Sequence, residues 1–482
     1  MGELVPLDKL QEACAVAAAY DIDNAAEVTR DMLAAQQHRG QDSSGIAVAR
    51  DDGEMRWHTG PGLVKHVYVN GWAAPMAGRY AVGHDRYGTS GNRTPGAHMQ
   101  PTKDNAGRLA FAQNGNLPTT LYSREFLLAH GEDEAALERL NDSEMMSRHI
   151  GWYAARGAAL DEAVARAYPD FIGAFSAVAL SDKRELVAFR DEFGVRPLSI
   201  GRLANGFVVA SETCALDAVS ADFVRDVAPG ELVSFGPDGL RSRELALPNP
   251  KFDLFELVYF SSPLSRFRGR AINDIRREMG RNLAREHPAN VDIVVPVPHS
   301  AIPAATGYAE ALGLPCLPGL VRNPDYQQRT FIEPTPEARA AAVRRKLHAD
   351  PEIVAGKRVA LVDDSMVRGT TMVPIVDMLL SAGATAVDLR LSSPPIRHPD
   401  FSGIDMPDPE ELIANRMTLR EICRYLHVRS IGHLSLAGTI AATGEPHGHF
   451  SAPYFNGEYP FAVGYRSPLY RHGAALVTAA NG

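Results

Sequence analysis

Two stretches of the chain combine residue types with a spacing that could do chemistry. The first is VALVDDSMVRGTT (359–371). A buried-type strand ends in two carboxylates, Asp363 and Asp364, and a turn with hydroxyls and a glycine then opens a helix. In an open α/β sheet, ligands bind beyond the carboxyl ends of the strands. A helix start placed there offers free N–H groups and the positive end of a dipole to an anion. Ser365, Thr370 and Thr371 add hydroxyl donors, Gly369 lets the backbone approach closely, and Arg368 supplies charge. The two aspartates would repel a phosphate, so they suit ribose hydroxyls or a Mg²⁺ bridging to the ligand. The G-x-x-x-x-G-K pattern of a Walker loop is absent.

The second stretch is EACAVAAAY (12–20), a single Cys14 in an alanine-rich run. Taken alone, a free cysteine is most often a buried space-filler. Several polar, glycine-containing stretches accompany it: QHRGQDSSGIAV (37–48) before a strand, GHDRYGTSG (83–91) after one, AQNGNL (112–117) and NDSEMM (141–146). Individually, Asn114-Gly115 reads as a tight hairpin turn and Asp142 as a helix N-cap.

The elements that must position these residues differ between the two halves. Up to about Pro250, short runs bounded by glycine, such as GIAVAR, RLAFAQNG, GAFSAVALSD and GFVVASE, read as antiparallel strands with helical spacing at 24–37 and 132–158. After LALPNPKFD, a linker by its prolines, strands alternate with helices: VDIVVPVP (291–298), KRVALVDD (357–364) and AVDLRLSS (386–393). That pattern predicts a parallel sheet covered on both faces. A length of 482 residues fits two domains. A net charge of −9 argues against a large nucleic-acid footprint. The four cysteines (Cys14, Cys214, Cys316, Cys423) lie far apart, which is neither a disulfide framework nor a metal-cluster pattern and fits a reducing cytoplasm. No apolar run is long enough to span a bilayer, and the N-terminus is not a secretory signal.

The 359–371 loop resembles the phosphoribosyl pyrophosphate (PRPP) signature of type I phosphoribosyltransferases. Cys14 with the four polar stretches resembles the glutaminase domain of class II, N-terminal-nucleophile amidotransferases. Together with FRDEFGVRPLSIG (189–201), ASETCALD (210–217), RTFIEP (329–334) and SSPPIRHP (392–399), the chain is similar to the glutamine PRPP amidotransferase family from about Cys14 to about Tyr459. The resemblance implies an αββα glutaminase domain followed by an α/β parallel-sheet phosphoribosyltransferase domain. The expected boundaries are a propeptide at 1–13, a glutaminase domain at 14–250, a transferase domain at 251–430 and a C-terminal extension at 431–482.

By the same resemblance, Cys14 attacks glutamine once the residues before it are removed, its own α-amino group acting as base. Asn114 and Gly115 form the oxyanion hole, while Arg86 and Asp142 hold the α-carboxylate and α-ammonium. Ammonia then passes, shielded from water, to C1 of PRPP. Asp363, Asp364, Ser365, Arg368, Gly369, Thr370 and Thr371 bind PRPP, and Ser300, Asp363 and Asp364 surround Mg²⁺. No iron–sulfur cluster is implied, because Asp400 stands where a ligating cysteine occurs in some relatives. Purine nucleotides as inhibitors, a homo-oligomer and a cytoplasmic location are family expectations, with no nucleic acid or membrane as partner.

The sequence departs from the family pattern on the ligand side. Ala15-Val16-Ala17-Ala18 replaces Gly-Val-Phe-Gly, Gln113 replaces a histidine, and Asp85 stands beside Arg86. RNPDYQQRTF (322–331), Pro298-His299-Ser300-Ala301 and Met372 are also unusual. Two readings besides the full amidotransferase therefore stand at this point. One is a divergent paralogue that binds PRPP or purine nucleotides with weak or no turnover, and the other is a transferase fed by free ammonia.

Overall fold

The computed structural model describes residues 14–87, 98–323, 343, 345–404, 406 and 408–463. They form two units, one of 14–253 with 401–404 and 458–463, the other of 254–400 with 406 and 408–457.

Thirteen of the described strands build the sheets of the first unit: β1 (Ala15–Tyr20), β2 (Ser43–Ala49), β3 (Met55–Pro61), β4 (Tyr80–Arg86), β5 (Thr102–Lys103), β6 (Leu109–Thr119), β7 (Ile172–Ser181), β8 (Leu186–Arg190), β9 (Ser199–Leu203), β10 (Gly206–Ala210), β11 (Asp222–Asp226), β12 (Glu231–Gly236) and β13 (Gly239–Glu244). They make two antiparallel sheets, ordered β11-β9-β10-β1-β4-β2-β3 and β13-β12-β8-β7-β6-β5. Alternation along β1 shows the layering. Ala15, Ala17 and Ala19 pack with Met32 and Leu33 of helix α1 (Ala25–Ala35), whereas Val16 and Ala18 face Ala112 and Val178 of the other sheet. A strand covered on both faces cannot alternate with polar residues, which accounts for the alanine run. The far face of the second sheet, with Phe111, Phe175 and Phe189, is covered by Met146 and Ile150 of α2 (Asp142–Ala154) and Val164 of α3 (Leu160–Ala167). The result is the expected α/β/β/α sandwich.

Two local expectations are corrected. Asn114-Gly115 is not a hairpin turn. Both residues lie inside β6, opposite Ser176 and Phe175 of β7. Gly115 has φ +146°, and a Cβ there would sit 2.0 Å from the Ala174 carbonyl oxygen, so only glycine fits so close a strand pairing. Nor is Asp142 a helix cap. Asn141 caps α2, accepting from the Glu144 N–H at 2.8 Å, and Asp142 is left for other partners.

The second unit is built on four parallel strands, β14 (Ile293–Pro296), β15 (Arg358–Asp363), β16 (Ala386–Leu391) and β17 (Ser430–His433), adjacent in that order. Val359, Leu361 and Leu389 bury one face against Ile375 and Leu379 of α4 (Met372–Ser381). The sheet is parallel, as the alternating pattern predicts. Among the described residues no helix is long and apolar enough to cross a membrane.

Candidate active sites in the two units

Cys14 stands at the head of β1, one residue before the Ala15–Asp85 pair of β1 and β4, with Sγ 3.9 Å from the Tyr87 carbonyl. Its own carbonyl accepts from Nε of Arg39 at 3.1 Å. That guanidinium, fully buried, donates to Glu212 at 2.6 Å, and His38 reaches the same Glu212 oxygen at 2.8 Å. Arg39 therefore fixes the backbone of the cysteine rather than its sulfur. Burial pushes the Cys14 thiol up, and the field of Asp142 adds to this while Arg86 and Arg39 oppose it. A thiol raised in this way stays protonated near neutral pH and needs a base.

His84 does not supply that base. It is completely buried in β4, desolvation lowers it to about 3, and Nε2 lies 3.0 Å from the Gln113 carbonyl. A neutral ring donates to that carbonyl and is a feeble proton acceptor.

The residues expected to hold glutamine come together at β6 and the start of α2. The Asn114 side chain is buried, and its Nδ2 has no acceptor among the described residues. An orphaned buried donor is costly unless something negative comes to it. Asp142 accepts from Gln113 Nε2 at 2.8 Å and from the Leu117 N–H at 3.1 Å through Oδ2, and from the Ser143 N–H at 2.8 Å through Oδ1. Burial raises its pKa, and those hydrogen bonds hold it back. Arg86 ends β4, within electrostatic reach of Cys14. The stretch is backed by 401–403: Asn116 Nδ2 donates to the Phe401 carbonyl at 2.9 Å, and a Cβ added at Gly403 would lie 3.3 Å from the Gly115 carbonyl carbon. Arg196, buried and paired with Asp253 at 2.8 Å, holds the Ser402 carbonyl at 3.1 Å.

In the second unit, β15 ends at Asp363, and the turn Asp364–Thr371 leads into α4. Asp363, Asp364, Ser365 and Thr371 are buried. The Asp364 N–H donates to Asp363 at 2.9 Å and the Ser365 hydroxyl to Asp364 at 2.9 Å, so the turn fixes its own carboxylates. Gly369 has φ +77° and lies against Ile413, where a Cβ would meet Cδ1 at 2.7 Å. Arg368 is bonded to Glu411 at 2.6 Å, so a ligand phosphate would have to compete with that carboxylate. Ser300 follows β14, the strand next to β15, so both turns leave the same edge of the sheet. Two adjacent carboxylates and nearby hydroxyls are hard oxygen donors and fit a Mg²⁺ that keeps most of its shell for water and substrate phosphate.

The sequence singled out the polar strand ends but not what supports them. Arg39 lay within a noted stretch, yet its partner Glu212 is 173 residues away. Gln113 was seen only as an unusual residue, and Glu411 carries no local signal. Residues 1–13, 88–97 and 324–342, which include the expected propeptide and the unusual loop after Asn323, lie outside the described residues.

Two family models match the chain: a glutamine amidotransferase domain over residues 91–218 and a phosphoribosyl transferase domain over residues 268–391. A curated relative from Synechococcus elongatus named amidophosphoribosyltransferase is 42% identical over 463 residues, covering 95% of this chain and 93% of its own. The Bacillus subtilis protein of the same name is 37% identical over 471 residues, with 95% and 96% covered. Among solved structures, the B. subtilis glutamine PRPP amidotransferase complexed with ADP and GMP superposes with a TM-score of 0.85 at 35% identity, covering 95% of this chain and 100% of that one.

Proposed function

Because the chain belongs to the amidophosphoribosyltransferase family, we propose that it converts PRPP, glutamine and water into 5-phosphoribosylamine, glutamate and pyrophosphate, the first step of purine synthesis. The observation that carries this reading is the presence, in one chain, of a cysteine within electrostatic reach of Arg86 and Asp142, a buried Asn114 Nδ2 with no acceptor among the described residues, and a two-aspartate turn at the carboxyl edge of a parallel sheet.

In this reading, removal of residues 1–13 leaves Cys14 with a free α-amino group, whose ordinary pKa of about 7.7–8 suits proton transfer. The raised thiol and the inert His84 support a base of that kind. Cys14 Sγ attacks the carboxamide carbon, and the Asn114 amide and Gly115 N–H receive the oxyanion. Arg86 takes the α-carboxylate and Asp142 the α-ammonium. Water then releases glutamate from the thioester, and ammonia attacks C1 of PRPP. Ser365, Arg368, Gly369, Thr370 and Thr371 grip the 5′-phosphate, with Asp363 and Asp364 beside the ribose. Asp363, Asp364 and Ser300 would hold Mg²⁺, which when bound neutralises the pyrophosphate as it leaves.

Regulation by purine nucleotides is supported by the relative complexed with ADP and GMP. A homo-oligomer in the cytoplasm, without an iron–sulfur cluster, completes the reading. Incubating the chain with PRPP, glutamine and Mg²⁺ should release glutamate and pyrophosphate in equal amounts, from a protein whose mass lacks residues 1–13. Glutamate without pyrophosphate, or neither product, would overturn it.

A further inference from the structure

Gln113 is 2% exposed and bonded to several members of the glutaminase constellation. Its backbone N–H donates to Gln100 Oε1 at 2.9 Å, and its carbonyl faces His84 Nε2 at 3.0 Å. Its two amide hydrogens are committed, Nε2 lying 2.8 Å from Asp142 Oδ2 and 3.0 Å from Ser143 Oγ. These contacts fix the orientation of the amide, because a flipped Gln113 would turn Oε1 onto the Asp142 carboxylate. The remaining atom, Oε1, is buried and has no donor among the described residues. It is therefore a desolvated acceptor on the same amide that touches Asp142.

We propose that Gln113 is part of the seat for the α-ammonium of glutamine, its Oε1 accepting one ammonium hydrogen while its Nε2 sets the Asp142 carboxylate that accepts another. The proposal rests on the reading that Asp142 holds the ammonium. An ammonium carries three donors, and one carboxylate whose oxygens already take three hydrogen bonds cannot satisfy them all. A neutral carbonyl adds an acceptor without a second negative charge beside Asp142, where a carboxylate would raise both pKa values. The seat thus discriminates for the amino group rather than for the carboxamide that reacts.

The test compares kcat/KM for glutamine with kcat/KM for glutaramate, the same γ-amide without the α-amino group. Gln113→Met keeps the volume and removes the amide. It should lower kcat/KM for glutamine about ten- to hundredfold, the range of a lost hydrogen bond to a charged group, while changing glutaramate by less than about threefold. An equal loss on both substrates, or none on either, would overturn the proposal. If Gln113→Met fails to show the thermal transition of the parent, Gln113→Leu, which also lacks the amide, decides by the same ratio. Asp142→Asn separates the two layers of the argument. If it loses the preference for glutamine while Gln113→Met keeps it, the Gln113 assignment is wrong and the seat stands. If Asp142→Asn keeps the preference, the seat itself is wrong and the proposal falls with it.

Discussion

At the scale of residues, the glutaminase site is a set of matched and unmatched hydrogen-bond groups. Arg39 and Glu212 close on each other, Asp142 is nearly saturated, and the buried Asn114 Nδ2, which has no acceptor among the described residues, is the donor we propose for the oxyanion. Asn114→Ala should therefore lower kcat with glutamine by about 10²–10³ while KM changes by less than about threefold, as expected for a donor used only when the oxyanion forms. Steady-state glutaminase kinetics decide this, and an unchanged kcat would remove Asn114 from the oxyanion hole. Cys14, Arg86, Asn114 and Asp142 take their proposed roles from the family resemblance carried by the polar stretches around them; alone, Cys14 reads as a space-filler, Asn114-Gly115 as a turn and Asp142 as a helix cap. Gln113 and Glu212 were not legible in these roles. They matter through partners 29 and 173 residues away, and nothing in the neighbouring sequence encodes such pairings.

At the scale of elements, the sheets were read well and the exceptions are instructive. Asn-Gly is a strong turn signal, but here a strand of eleven residues passes through it, because the glycine is needed for close pairing with β7 rather than for reversal. The contact between β4 and β6 also carries a pH dependence. His84, on β4, is held near 3, well below its ordinary value, by burial, which outweighs the opposing effect of its hydrogen bond to the Gln113 carbonyl of β6. Between pH 6.5 and that value the unfolded chain binds a proton that the folded chain does not. Its contribution to stability is thus complete above pH 6.5 and is lost as pH falls toward 3. Relative to His84→Gln, which keeps a donor for the carbonyl, the parent should lose about 1.4 kcal/mol more stability per pH unit in that window. Denaturant unfolding at pH 7, 6 and 5 measures the difference, and parallel curves would show that His84 is protonated in the folded chain.

At the scale of the whole molecule, one chain carries two chemistries that neither unit could link alone. The change of pattern near residue 250 was visible in the sequence. The return of 401–404 to the first unit, where Phe401 meets Asn116 and Arg196 holds Ser402, was not, since a few residues of loop carry no periodicity. The central claim is that Cys14 makes the ammonia that the Asp363–Asp364 turn and its PRPP consume. It is tested most directly by pyrophosphate release from PRPP in the parent and in Cys14→Ala, each supplied in turn with glutamine and with ammonium at alkaline pH. The account predicts that Cys14→Ala loses the glutamine-supported reaction by at least about 10³, as expected on removing a nucleophile, and keeps the ammonium-supported one. Glutamine-supported release that survives in Cys14→Ala would contradict it.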